Sequence, residues 1–192
     1  MNYLMIVILL LSVMILQVDT DTDTEIWEDM WDAPEGPGGT YGQPHGPPPG
    51  HHRYGGPGGE VQLPYKNSIS GGVKTGRRIK ISGRLTGNYF YVNLADPGPS
   101  NDIGFHFNPR LNKNAVIRNS MLGGKWGREE RGGGMPFHRG QHFSMGIQVL
   151  DREYRVMVNN NHFCSFNFRG QPGKYSELQV GGGLANVQIN FQ

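Results

Sequence analysis

From Glu60 to Gln192, short runs of alternating apolar and polar residues follow one another, and clusters of Gly, Pro and Asn separate them. "RRIKISGRL" places Ile79, Ile81 and Leu85 on one side and Arg78, Lys80 and Arg84 on the other. "NYFYVNL", "HFSMGIQV" (with Phe143, Met145, Ile147 and Val149), "EYRVMVN" and "VQINF" repeat the pattern. A period of two is that of a strand with one buried face, and no amphipathic helix of ten or more residues interrupts it. Many short strands joined by turns predict an all-β domain, two antiparallel sheets packed as a β-sandwich.

The turns carry their own signals. In "VNNNH" one strand should reverse into the next, because Asn is the non-Gly residue that best tolerates positive φ in a tight hairpin. Beyond it Cys164, Phe166 and Phe168 alternate on one side. The lone Cys therefore reads as a small buried hydrophobe, and with no disulfide available the core must hold the domain unaided.

The first 59 residues read differently. Tyr3 to Leu16 is apolar except for Ser12, too short for a span of about 20 residues, and matches the apolar region of a secretory signal. We read residues 1–20 as a signal peptide, with a retained signal anchor as the alternative, and so expect a secreted, extracellular protein. An acidic stretch follows, then residues 33–59, which hold ten Gly and seven Pro. That composition buries too little apolar surface to offset the entropy of ordering, so 21–59 is expected to be a disordered tail and 60–192 the folded domain. Tyr41, Tyr54, His45, His51 and His52 could support weak self-association or metal binding, against the plainer reading of a solvated spacer, while Trp27 and Trp31, four apart, could form one sticky helical turn for a partner or belong to a processed pro-segment.

Charge divides the same way. Residues 1–59 hold one basic and eight acidic residues, net −7, while 60–192 hold 17 basic and eight acidic, net +9, which together make the chain's +2. A basic domain suits sulfated glycans, acidic membranes, nucleic acid or its own acidic segment. Secretion argues against nucleic acid. The row Arg77, Arg78, Lys80 and Arg84 reads as a solvated face.

Within the domain one strand differs from the rest. In "HFNPR" Phe105 and Phe107 face the core, so His106, Asn108 and Arg110 form a polar row on the opposite side. Downstream come Asn119 in "RNS" and Trp126, Glu129 and Arg131 in "WGREER". Glu129 and Arg131 share a face, whereas Trp126 is an odd step from Glu129, so the backbone must bend at Gly127 for the indole to join them. Together these groups offer directional donors and acceptors beside an apolar π face. A sugar has the matching surface, hydroxyls at its rim and, in galactose, a C–H patch left clear by the axial 4-hydroxyl.

These residues carry a family resemblance. A His-x-Asn-x-Arg strand, an Asn, and Trp-Gly-x-Glu-x-Arg, with "PFHRGQHFSMGIQV" and "VNNNHFCSFNFR" behind them, resemble the galectins over about residues 61–192. The resemblance implies a jelly-roll sandwich, concanavalin-like, with a glycan across its concave sheet; no cofactor is expected, and no metal site, because the His residues lack convergent partners. It implies that His106, Asn108 and Arg110 contact the galactose 4-hydroxyl, and that Asn119 and Glu129 take the 6-hydroxyl. Arg110, Glu129 and Arg131 would serve the adjoining sugar while Trp126 stacks on the galactose. The partners implied are β-galactoside glycans of the lactose or N-acetyllactosamine type, and the Gly/Pro-rich tail is similar to that of chimera-type members that self-associate. Departures are the short "LNKNAVIR" loop, Asn160 where a Gly is usual, Phe168 where a His is common, and the signal peptide itself.

Two other functional classes are open to such a chain. A glycoside hydrolase needs two carboxylates about 5 to 10 Å apart across the scissile bond, and the adjacent Glu129 and Glu130 point oppositely on a strand, so an enzyme is not expected. A secreted structural or adhesive protein, assembled through its tail with incidental sugar binding, is the second reading.

Overall fold

The structure, a computed structural model, describes residues 59–192. The signal peptide, acidic segment and Gly/Pro-rich tail read in the sequence lie outside the described residues.

Among the described residues nine strands follow one another: β1 (Tyr65–Ser68), β2 (Arg78–Ala95), β3 (Ile103–Arg110), β4 (Ala115–Leu122), β5 (Lys125–Trp126), β6 (His142–Val149), β7 (Glu153–Val158), β8 (Asn161–Asn167) and β9 (Glu177–Phe191). All pairings are antiparallel, and they form two layers. The first runs β5-β4-β3-β2-β9-β1, and the second runs β8-β7-β6-β2-β9. Two strands belong to both. The β2 half from Arg78 to Arg84 pairs with β6, and its half from Tyr89 to Ala95 pairs with β3, while β9 pairs with both halves.

The runs "RRIKISGRL" and "NYFYVNL" read in sequence as two strands parted by "TG", and "VQINF" covers only the last part of β9. The structure joins them, for a steric reason. Where β2 and β9 pass between layers their register slips between Leu85 and Phe90, and Gly87 lies against Gly183 so closely that an added Cβ would sit 2.7 Å from the Gly183 Cα. Gly182 beside it holds φ +103°, a conformation that strains any other residue. The glycines that look like a turn in sequence let paired strands bend together.

Between the layers lies an aromatic core. Phe105 of β3 stacks on Tyr154 of β7 at 5.0 Å and meets Phe166 of β8 at 5.2 Å; Phe90 of β2 stacks on Phe143 of β6 at 5.2 Å. Each such ring contributes about 1.5–3 kcal/mol on full burial, and these contacts join the layers where the strands alone would not. Ile79, Ile81 and Leu85 are buried as the alternation required. Cys164 is buried too, and burial pushes its thiol up to about 11, so it packs as a hydrophobe and has little thiolate character. The β7–β8 hairpin turns on Asn159 and Asn160 at φ 49° and 65°, the two positive-φ positions of a two-residue turn, as the Asn run foretold.

Candidate functional site

The polar row stands on the outer face of the first layer. Phe105 and Phe107 are fully buried, and strand geometry turns His106, Asn108 and Arg110 the other way. Across β4 the register sets Asn119 opposite His106, and across β5 it sets Trp126 opposite Met121, which lies two residues along β4 from Asn119. Residues opposite each other in a ladder share a face, so the indole joins the row. Trp126 is 51% exposed, and its ring lies 4.9 Å from that of His106. The exposure decides its role: an indole left in water beside polar groups is a platform, since packing would have buried it.

The bend expected at Gly127 is present. Met121 pairs with Trp126 but Arg118 pairs with Glu130, one residue out of step, so a bulge lies between and returns Glu129 and Arg131 to the face of Trp126. Gly127 is there for space: an added Cβ would stand 3.0 Å from Arg169 and 3.3 Å from Asn119.

Two arginines behind the sheet hold this irregular segment. Buried Arg118, on the core side of β4, donates to the carbonyls of Val116 (3.0 Å) and Gly132 (2.6 Å). Arg169 donates to the Arg128 carbonyl (2.6 Å), the Glu130 carboxylate (2.7 Å) and Asn119 Oδ1 (3.0 Å). Backbone outside a ladder needs such partners, and the planar guanidinium fork supplies several at fixed angles. Glu130, neighbour of Glu129, is thus tied to Arg169 and serves as a structural anchor. Nothing in the sequence pattern around Arg169 signalled this role.

Hydrogen bonding leaves each site group a defined capacity. Asn119 Oδ1 accepts from the Ser120 amide (2.8 Å) and from Arg169, while Nδ2 donates one proton to the Gly127 carbonyl (3.0 Å), leaving the other Nδ2 proton to offer. Asn108 donates to the Phe90 carbonyl (2.5 Å) and accepts from Arg110 Nε (2.5 Å), which orients the rest of the Arg110 guanidinium. Glu129 accepts from Arg131 Nε (2.9 Å) and Nη2, and this hydrogen bonding holds its carboxyl below the usual carboxylate range. In the structure Arg131 makes the direct pair, and Arg110 acts on Glu129 through charge alone while bonding Asn108.

His106 is the most perturbed group of the row. Burial, then the charge of Arg110, lowers it from 6.5 to about 4, with Glu129 and Asn108 pulling weakly the other way. Its Nδ1 lies 2.6 Å from Asn93 Oδ1, a partner on β2 that the sequence reading missed. The signal was there, since Tyr89, Tyr91 and Asn93 alternate on the face opposite buried Phe90, Val92 and Leu94.

The arrangement is an open surface. A cleft of about 400 Å³ opens elsewhere, behind the β5 turn among Ser120, Leu122, Lys125 and Arg169, outside the polar row. Fixed donors and acceptors around a flat indole, open to water, suit reversible binding of a hydroxyl-rich ring.

Comparison with known proteins agrees with this geometry. The family model described as galactoside-binding lectin matches residues 64–191. Galectin-4 of Rattus norvegicus is 41% identical over 135 residues, covering 67% of this chain and 41% of that protein. A 32 kDa beta-galactoside-binding lectin of Caenorhabditis elegans is 36% identical over 131 residues, 66% of this chain and 46% of that one. Galectin-7 of Mus musculus, 34% identical over 130 residues, is matched over 96% of its length and 66% of this chain. A crystal structure of a Caenorhabditis elegans galectin superposes with TM-score 0.61 at 27% identity, covering 69% of this chain and 90% of that one. The chain spans about two fifths of the length of the galectin-4 relatives it matches. With the two-layer fold and the matched segment in agreement, the chain belongs to the galactoside-binding lectins, the galectins, a family of lectins and not of enzymes.

Proposed function

We propose that this chain is a secreted lectin that binds β-galactosides of the lactose or N-acetyllactosamine type on the outer face of the first layer, and that its N-terminal tail clusters the binding domains. The observation that carries the sugar reading is Trp126, exposed beside His106 and level with Asn119, Glu129 and Arg131. The C–H face of galactose stacks on the indole. The axial 4-hydroxyl then meets His106, Asn108 and Arg110, which an equatorial hydroxyl would miss. The 6-hydroxyl accepts the spare Asn119 proton and donates to Glu129, a complementary pair that suits one hydroxyl. Arg110, Glu129 and Arg131 serve the adjoining sugar through charge-assisted bonds.

Such a site binds a disaccharide weakly, because much of the ligand stays in water. Linked domains raise the effective concentration of the second contact, so a self-associating tail would supply avidity without new sugar contacts. The acidic, Gly/Pro-rich and aromatic composition of residues 21–59 supports that part of the reading, and the apolar run Tyr3 to Leu16 supports secretion.

Calorimetric titration with lactose and with mannose, on the wild-type chain and on Trp126→Ala, tests the proposal. Lactose should bind and mannose should not, and the variant should stay folded while losing roughly tenfold or more in affinity, the stacking contribution of an aromatic ring. A folded wild-type chain that ignores lactose would overturn the reading.

A further inference from the structure

A line of hydrogen bonds crosses the first layer at right angles to its strands and ends on His106. At its far end the Lys66 ammonium of β1 lies 3.3 Å from Glu177 Oε1 of β9. Gln179 Nε2 donates to that same oxygen at 2.7 Å. Asn93 Nδ2 of β2 donates to Gln179 Oε1 at 3.0 Å, and Asn93 Oδ1 faces His106 Nδ1 of β3 at 2.6 Å. The register makes the line possible, for Gln179 is opposite both Lys66 and Asn93, and Asn93 is opposite His106. Asn93 and Glu177 are buried and Gln179 between them is half-buried, so water has little room to substitute for a broken link.

The polarity of the line follows from its acidic end. A carboxylate only accepts, so Gln179 must turn its NH₂ toward Glu177 and its carbonyl toward Asn93. Asn93 must in turn give its NH₂ to Gln179, which leaves its carbonyl facing the imidazole. A carbonyl facing Nδ1 at hydrogen-bond distance requires a proton on Nδ1. A neutral imidazole has only one such proton, so Nε2 is a bare acceptor.

We propose that Glu177, acting through Gln179 and Asn93, holds His106 in the Nδ1–H tautomer, so that the site presents Nε2 as a hydrogen-bond acceptor and selects a ligand hydroxyl that donates to it. Glu177, Gln179 and Asn93 are positioning residues: none needs to touch the sugar. The selectivity part rests on the sugar-binding reading above; the tautomer does not. With Nε2 accepting and the Arg110 guanidinium donating, a galactose 4-hydroxyl has both of its roles met, and an analogue carrying fluorine there, which cannot donate, does not.

The test is a long-range ¹H–¹⁵N correlation spectrum of His106 in the ligand-free full-length chain at neutral pH, for wild type, Gln179→Leu and the near-isosteric Glu177→Gln. Wild type should show a protonated Nδ1 and an unprotonated Nε2. In Gln179→Leu, with Asn93 released, the population should move toward Nε2–H, and lactose affinity should fall roughly tenfold, the value of one hydrogen bond. Glu177→Gln keeps the shape but can offer either end of its amide, so an intermediate tautomer mixture is expected; this variant also serves if Gln179→Leu fails to fold. Wild-type His106 protonated on Nε2, or a tautomer that neither variant moves, would overturn the assignment. An Nδ1–H tautomer in a chain that does not bind lactose would remove the sugar reading and the selectivity built on it, and leave the tautomer assignment standing.

Discussion

His106 shows how one residue is set by its surroundings. Burial and Arg110 keep its imidazole neutral down to about 4, where a free His titrates near 6.5. The sign of the pH effect follows. Between those values the unfolded chain binds a proton that the folded one refuses, so stability should fall as pH drops through that window. Lactose affinity should be flat across the neutral range and fall as pH drops through about 4, when protonation removes the Nε2 acceptor. Calorimetric titration across pH, beside thermal melts of wild type and His106→Gln, checks both; the variant should lose the His106 share of the stability slope. Trp126 shows the opposite case, for nothing shifts or buries it, and exposure alone defines it.

At the scale of the element, the site depends on one regular strand and one irregular one. β3 is legible from its alternation, with Phe in and His, Asn and Arg out. The segment after β5 is not, because its side chains are placed by a bulge and by Arg118 and Arg169 from behind. The β7–β8 hairpin offers a separate test of local backbone chemistry. Asn160 holds φ 65°, so Asn160→Ala should destabilise the domain by about 1–2 kcal/mol, while Asn160→Gly should be neutral or slightly stabilising. Urea unfolding of the three chains reads the difference, and an Ala variant as stable as Asn would show that the turn does not need positive φ.

For the whole molecule, the question is how weak sites become useful. If the tail clusters the domains, deleting residues 19–59 should leave the lactose affinity per site unchanged and abolish agglutination of galactoside-bearing cells or beads. Agglutination that survives the deletion would remove the tail from the mechanism. An assembly protein with incidental sugar binding would instead lose its activity when the tail is deleted and keep it when Trp126 is changed. These outcomes separate the two readings because each acts on a different part of the chain.

Period-two alternation determined the all-β class, because a strand with one buried face can be written in few other ways. Spacing also determined which side of β3 faces out, where the indole bend must fall, and that Asn would carry the β7–β8 turn. His106, Asn108 and Arg110 were therefore legible as one outward row on β3, whereas Glu129 and Arg131 lie beyond β5 in the segment that the bulge places. Tertiary structure alone decided that β2 and β9 run unbroken between two layers, since close contact of Gly87 with Gly183 depends on residues about a hundred positions apart. It alone decided that Arg169 supports Asn119, and that Glu177 reaches His106 through Gln179 and Asn93. Those links run across the ladder, where neighbours are set by register, and register is a property of strands already paired.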